Sequence, residues 1–165
     1  MSKLKAQNFK IFKNRSRGFT LMEIIISMAI LALFGTISVI YLGSYRRSVS
    51  IDTEAEKIVA YLRQAQNRAT SGESGVDWGV HFDNPSSGDD YYALFQGDAY
   101  TSSVETIYLS NQIQFSYPAP GGTENIVFQR ISGWPVATKS VTIQSVVNSN
   151  LNRIISINSA GQINY

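Results

Sequence analysis

The residues best placed to do chemistry lie together near the start of the chain. Arg17-Gly18-Phe19-Thr20-Leu21-Met22-Glu23 runs directly into an uncharged stretch that opens at Ile24 and closes at Leu42. A carboxylate at the edge of a segment apolar enough to enter lipid costs several kcal/mol unless it is paired or reaches the interface. A cut between Gly18 and Phe19 would supply a partner, because it frees a positive α-amine on Phe19 close to Glu23 along the chain. Pairing within one subunit would neutralise the acid. Pairing between neighbouring subunits would also set their axial register, since the unpaired charge stays costly in every other alignment. The plainer reading is a carboxylate that reaches the headgroups from the end of the segment.

Other reactive side chains carry less. His81, the only histidine, sits in an expected strand between Val80 and Phe82. No Gly-x-Ser-x-Gly, His-Glu-x-x-His or P-loop accompanies it, so a serine triad would need partners that nothing marks. Asp83, Asn84, Asp89 and Asp90 flank a Pro-Ser-Ser-Gly loop. Oxygen-rich loops bind calcium, but this spacing is not that of an EF-hand, and a solvated turn is the better reading. Tyr91 and Tyr92 are adjacent, so strand alternation sends one inward and one outward. The absence of cysteine removes disulfides, thiolate metal sites, cysteine nucleophiles and lipoprotein anchoring. No catalytic residue, cofactor or metal is expected.

The net charge of +2 averages two unlike regions. Lys3, Lys5, Lys10, Lys13, Arg15 and Arg17 precede Gly18 without an acid, whereas residues 19–165 hold eight basic and twelve acidic residues. The basicity belongs to the leader and argues for topology. With six positive charges before the apolar run and only Arg46 and Arg47 just after it, the positive-inside rule places the C-terminal part outside. Residues 24–42 are long enough to span a bilayer core as a helix. A conventional secretory signal or an uncleaved anchor is the competing reading. Against the first, the apolar core is long, Glu23 intrudes at its start, and no Ala-x-Ala site follows.

The elements that position this segment follow from the periodicity. Residues 19–70 read as one helix, about 78 Å long at 1.5 Å per residue. Its first half is apolar all round. Its second carries a single stripe of Ile51, Ala55, Ile58, Leu62, Ala65 and Ala69, spaced 4, 3, 4, 3, 4, and Ser71-Gly72 closes it. From residue 76 the period becomes two. Strands are expected at 78–82, 91–96, 106–109, 113–117, 125–130, 140–146, 153–158 and 162–165, with breaks at 83–90, 118–122, 133–135, 148–150 and 159–161. A long helix whose amphipathic face covers an antiparallel sheet makes the fold class α+β. The domain scheme is a basic leader over 1–18, an apolar helix over 19–45, an amphipathic helix over 46–72 and a β-rich domain over 73–165.

The basic leader, Arg17-Gly18, Phe19-Thr20-Leu21-Met22-Glu23 and the apolar helix together resemble the prepilin signal of type IV pilins and type II secretion pseudopilins. Further along, Leu62-Arg63-Gln64-Ala65-Gln66-Asn67-Arg68-Ala69, Trp78-Gly79-Val80-His81-Phe82 and Ile154-Ile155-Ser156-Ile157-Asn158 with Gly161-Gln162-Ile163 resemble the minor pseudopilin H and related type IV minor pilins. The resemblance implies a pilin fold and cleavage by prepilin peptidase between Gly18 and Phe19. It also implies N-methylation of Phe19 and a role for Glu23 in assembly. By the same resemblance the chain is a structural subunit of a pilus or secretion pseudopilus, not an enzyme. Its partners are other pilin or pseudopilin subunits and an inner-membrane assembly platform driven by ATP. It resides in the cytoplasmic membrane, single-pass with its C-terminal domain outside, and then in a periplasmic or extracellular filament. An adhesin or DNA-binding subunit at the filament tip is the alternative. Nucleic acid is not expected as a partner, because residues 161–165 lack the basic tail of DNA-binding relatives, and the cysteine pair of many pilins is also missing.

Overall fold

The computed structural model describes residues 18–165, with the side chains of 36–42 and 44 excepted. The leader expected over 1–18 lies, apart from Gly18, outside the described residues. One helix, α1 (Leu21–Thr70), is followed by a 3-10 turn (Glu73–Gly75) and eight strands: β1 (Trp78–Asn84), β2 (Tyr91–Gln96), β3 (Glu105–Tyr108), β4 (Ile113–Tyr117), β5 (Gly122–Phe128), β6 (Lys139–Ser145), β7 (Asn152–Ile157) and β8 (Ile163–Asn164). The chain divides into two compact units between Tyr41 and Leu42.

In the second unit the strands form two four-stranded antiparallel sheets, ordered β3-β2-β1-β5 and β4-β6-β7-β8. All six residues of the expected helical stripe are fully buried. They pack into one core with Trp78, Val80 and Phe82 of β1, Tyr92 and Leu94 of β2, and Ile126 and Phe128 of β5. The second sheet adds Phe115, Val141, Ile143, Ile155 and Ile157. The α+β architecture is therefore the one the periodicity implies, with the strands shared between two sheets under one helix.

Local chemistry explains where the elements stop. Gly72 adopts a left-handed conformation (φ 68°) and its N–H donates to Ala69 O, which closes α1. Beyond it, the Trp78 indole N–H donates to Glu73 O at 3.1 Å, and the Arg68 guanidinium lies 4.7 Å from the Trp78 ring centre. Strand β1 runs through Asp83 and Asn84, which read from sequence as the opening of a turn. The reason is the buried Asn84 amide: it donates to Phe115 O and Pro118 O, tying β1 to the strand and turn of the other sheet. Strand β5 begins at Gly122 and ends at Phe128, earlier than the pattern implied. Past its end, Arg130 N–H donates to Asp77 Oδ1 and Ile131 N–H donates to Ala69 O, so the chain leaves the sheet for the helix end.

Near that end the Gln66 amide donates to both Gly133 O and Gly161 O, each at 3.0 Å. A Cβ on Gly133 would collide with Thr70 Oγ1, and one on Gly161 would lie 2.7 Å from Gln66 Nε2. Both glycines, each at positive φ, let the β5–β6 and β7–β8 loops approach the helix closely.

Candidate functional site

In the first unit, Gly18, Phe19 and Thr20 precede the helix in extended or irregular backbone, and every described residue from 18 to 35 is exposed. Phe19 is 77% exposed and Leu21 78%. Gly18 is exposed as well, and nothing lies within 4 Å of where its Cβ would sit. Thr20 caps the helix: its Oγ1 accepts the Glu23 N–H at 3.2 Å, and its carbonyl accepts the Ile24 N–H. Glu23 thus stands three residues after a threonine cap, in the first turn, where the partial positive charge of the helix N-terminus favours a carboxylate. Ser27 Oγ donates to Glu23 O at 2.6 Å. The sequence reading of Glu23 left out this local reason for an acid; Thr-x-x-Glu ahead of an apolar run was the available signal.

An exposed apolar helix is a surface that requires a partner. Among the described residues no helix is long and apolar enough to cross a membrane. The expected span from Ile24 to Leu42 includes residues 36–42, whose side chains lie outside the described ones.

The other sequence candidates are occupied by packing. His81 is buried; its Nδ1–H donates to Asn125 Oδ1 at 2.6 Å, and its ring stacks on Tyr100 with centres 3.8 Å apart and planes 3° from parallel. Its Nε2 stands 3.8 Å from Asp83 Oδ2, which accepts the Tyr91 hydroxyl at 2.8 Å. That hydrogen bond, with burial and the Asp83 charge, raises the Tyr91 pKa. Asp90 Oδ2 accepts the Phe115 N–H at 2.6 Å. Burial raises the Asp90 pKa despite that bond, and the like charges of Asp83 and Asp89 add to the rise. Among the described residues no cluster of three or more histidine and acidic groups could hold a metal. Tyr92 is fully buried and Tyr91 half-buried, as alternation requires.

Residues 13–39 match the family described as the prokaryotic N-terminal methylation motif. The architecture is similar to that of the type IV minor pilin FimU of Pseudomonas aeruginosa strain PAO1, solved in two crystal forms. The P21 form has a TM-score of 0.52 at 15% identity, over 69% of this chain and 86% of that one. The P65 form has a TM-score of 0.49 at 15% identity, over 68% and 90%. At that identity the likeness is one of fold. No curated protein sequence matches the chain.

The chain thus carries the N-terminal methylation motif and shares its fold with a type IV minor pilin. That solved protein is described as a minor pilin, and the narrower likeness to pseudopilin H has no counterpart here.

Proposed function

We propose that this chain is a type IV pilin or pseudopilin, made as a precursor over the scheme 1–18, 19–45, 46–72 and 73–165, cleaved by prepilin peptidase between Gly18 and Phe19 and N-methylated on Phe19. Before assembly it is held single-pass in the cytoplasmic membrane by the helix from Ile24 to Leu42, with its β-rich domain outside. It is a minor subunit of a type IV pilus or a type II secretion pseudopilus, handed by an inner-membrane platform to other pilin subunits.

The observation that carries this reading is the uncovered apolar helix of residues 21–35 with one acid, Glu23, in its first turn. Lipid shelters such a surface as well as a filament core does, so moving it from one to the other yields little of the roughly 25 cal/mol per Å² available on leaving water. Packing and charge pairing must select the assembled state. A Glu23 carboxylate paired with the Phe19 amine of a neighbour is favourable in one register only.

N-terminal and intact-mass analysis of the membrane-extracted protein tests the processing. A mature chain beginning at methyl-Phe19 is expected, and an N-terminus beyond residue 42 would overturn it. Glu23→Ala is expected to leave cleavage intact and to lower incorporation into filaments at least tenfold. Normal incorporation of that variant would remove the register role.

A further inference from the structure

Tyr45, Arg46 and Arg47 are three consecutive exposed residues of α1. At about 100° per residue they cover a broad arc of the helix. Among the described residues, neither arginine has an ion-pair or hydrogen-bond partner. Four other basic side chains do: Lys57 with Glu54, Arg68 with Glu73, Lys139 with Glu124 and Arg153 with Asp52.

Arg46 and Arg47 are also the only charges between Glu23 and Asp52, and the chain after them holds six basic against eleven acidic residues. They form a positive end on an otherwise acid-rich domain. Positive charge on the exported flank of a span works against the orientation set by the leader. Two unpaired arginines there weaken the topology signal, so their presence asks for a compensating contact.

We infer that Tyr45, Arg46 and Arg47 form a docking site for the phosphate headgroups of anionic phospholipids in the leaflet that faces the domain. The chemistry matches. Guanidinium groups bind phosphate oxygens through paired N–H donors, and tyrosine is enriched at the depth of the headgroups. The acid-rich remainder of the domain is repelled by the same surface, so only this end approaches it.

A second copy of the chain is the competing partner, and it has little to offer. Only Glu23, Asp89 and Asp98 among the described carboxylates lack a hydrogen-bond or ion-pair partner. Each of the other side-chain carboxylates already accepts a hydrogen bond or holds an ion pair within the same chain.

This inference rests on the membrane-anchored reading above, and the experiment separates the two. The full-length chain is placed in phospholipid nanodiscs carrying one of three photoreactive lipids. One is labelled on a phosphatidylglycerol headgroup, one on a phosphatidylcholine headgroup, and one at mid-acyl chain. Cross-links are then mapped by mass spectrometry.

Labelling of residues 45–49 by the glycerol headgroup is expected to exceed that by the choline headgroup about tenfold. Arg46→Gln with Arg47→Gln should abolish the excess and leave acyl-chain labelling of residues 24–35 unchanged. Equal labelling by the two headgroups, an excess that survives the double variant, or chain-to-chain cross-links through residues 45–49 would overturn the site while leaving the anchor standing. Absence of acyl-chain labelling on residues 24–35 would remove the anchor and the docking site with it.

Discussion

Along α1, Ile51, Ala55, Ile58, Leu62, Ala65 and Ala69 are fully buried, whereas Leu21, Ile24, Ile25, Met28 and Leu31 are all exposed. Both stretches are helical and apolar. They differ in how the apolar residues are distributed around the axis. A 4, 3, 4, 3, 4 spacing gathers them on one face, which a pair of sheets from the same chain can cover. An apolar surface on every side has no preferred face, and only an all-round environment of lipid or other helices can satisfy it. The buried stripe stabilises the domain; the exposed stretch is left for the assembly proposed above.

Leu62→Ala should cost the domain about 2–5 kcal/mol, because it opens a cavity in a fully buried stripe; urea unfolding reads this directly. Gln66→Ala should cost about 1–2 kcal/mol, since two loop carbonyls lose their donor. A smaller, pH-dependent effect is expected at Glu124. Burial alone would raise its pKa, but the hydrogen bond and charge of Lys139, the Tyr117 hydroxyl and the Asn125 N–H outweigh burial and hold it below the ordinary value of 4.5. A carboxylate with a depressed folded pKa contributes stability that is present above the unfolded value and is lost as pH falls through the folded one. Glu124→Gln should therefore be less stable than the parent at pH 7, with the gap in urea midpoint closing on acidification below about 4.5. Leu31→Ala should change domain stability by less than about 0.5 kcal/mol while reducing incorporation into filaments. A Leu31→Ala loss as large as that of Leu62→Ala would erase the contrast between the two stretches.

Much of the fold was legible in local pattern. The stripe was readable residue by residue, and β2 and β4 coincide with their expected ranges. What escaped the reading depends on distant neighbours. Asn84 looks like a turn residue until its amide meets Phe115 O and Pro118 O, more than thirty positions away. His81 looks like a possible catalyst until Tyr100, from the loop after β2, stacks on it and Asn125 takes its proton donor. The division of the strands into two sheets is likewise a matter of pairing, which alternation within each strand does not encode. At the candidate site, Gly18, Phe19 and Glu23 were marked by residue type and order alone. The threonine cap was present in the same four residues, and the expense of an acid beside lipid drew attention from the simpler demand of a helix start.

The buried Asn84 amide gives the domain a mechanical property. It belongs to the strand at the heart of one sheet and grips one carbonyl of the other, Phe115 O, and one in the turn between them, Pro118 O. A pull on the helix cannot shear one sheet past its companion without rupturing this link. In a filament of the kind proposed, tension would thus be shared by both sheets before either began to peel.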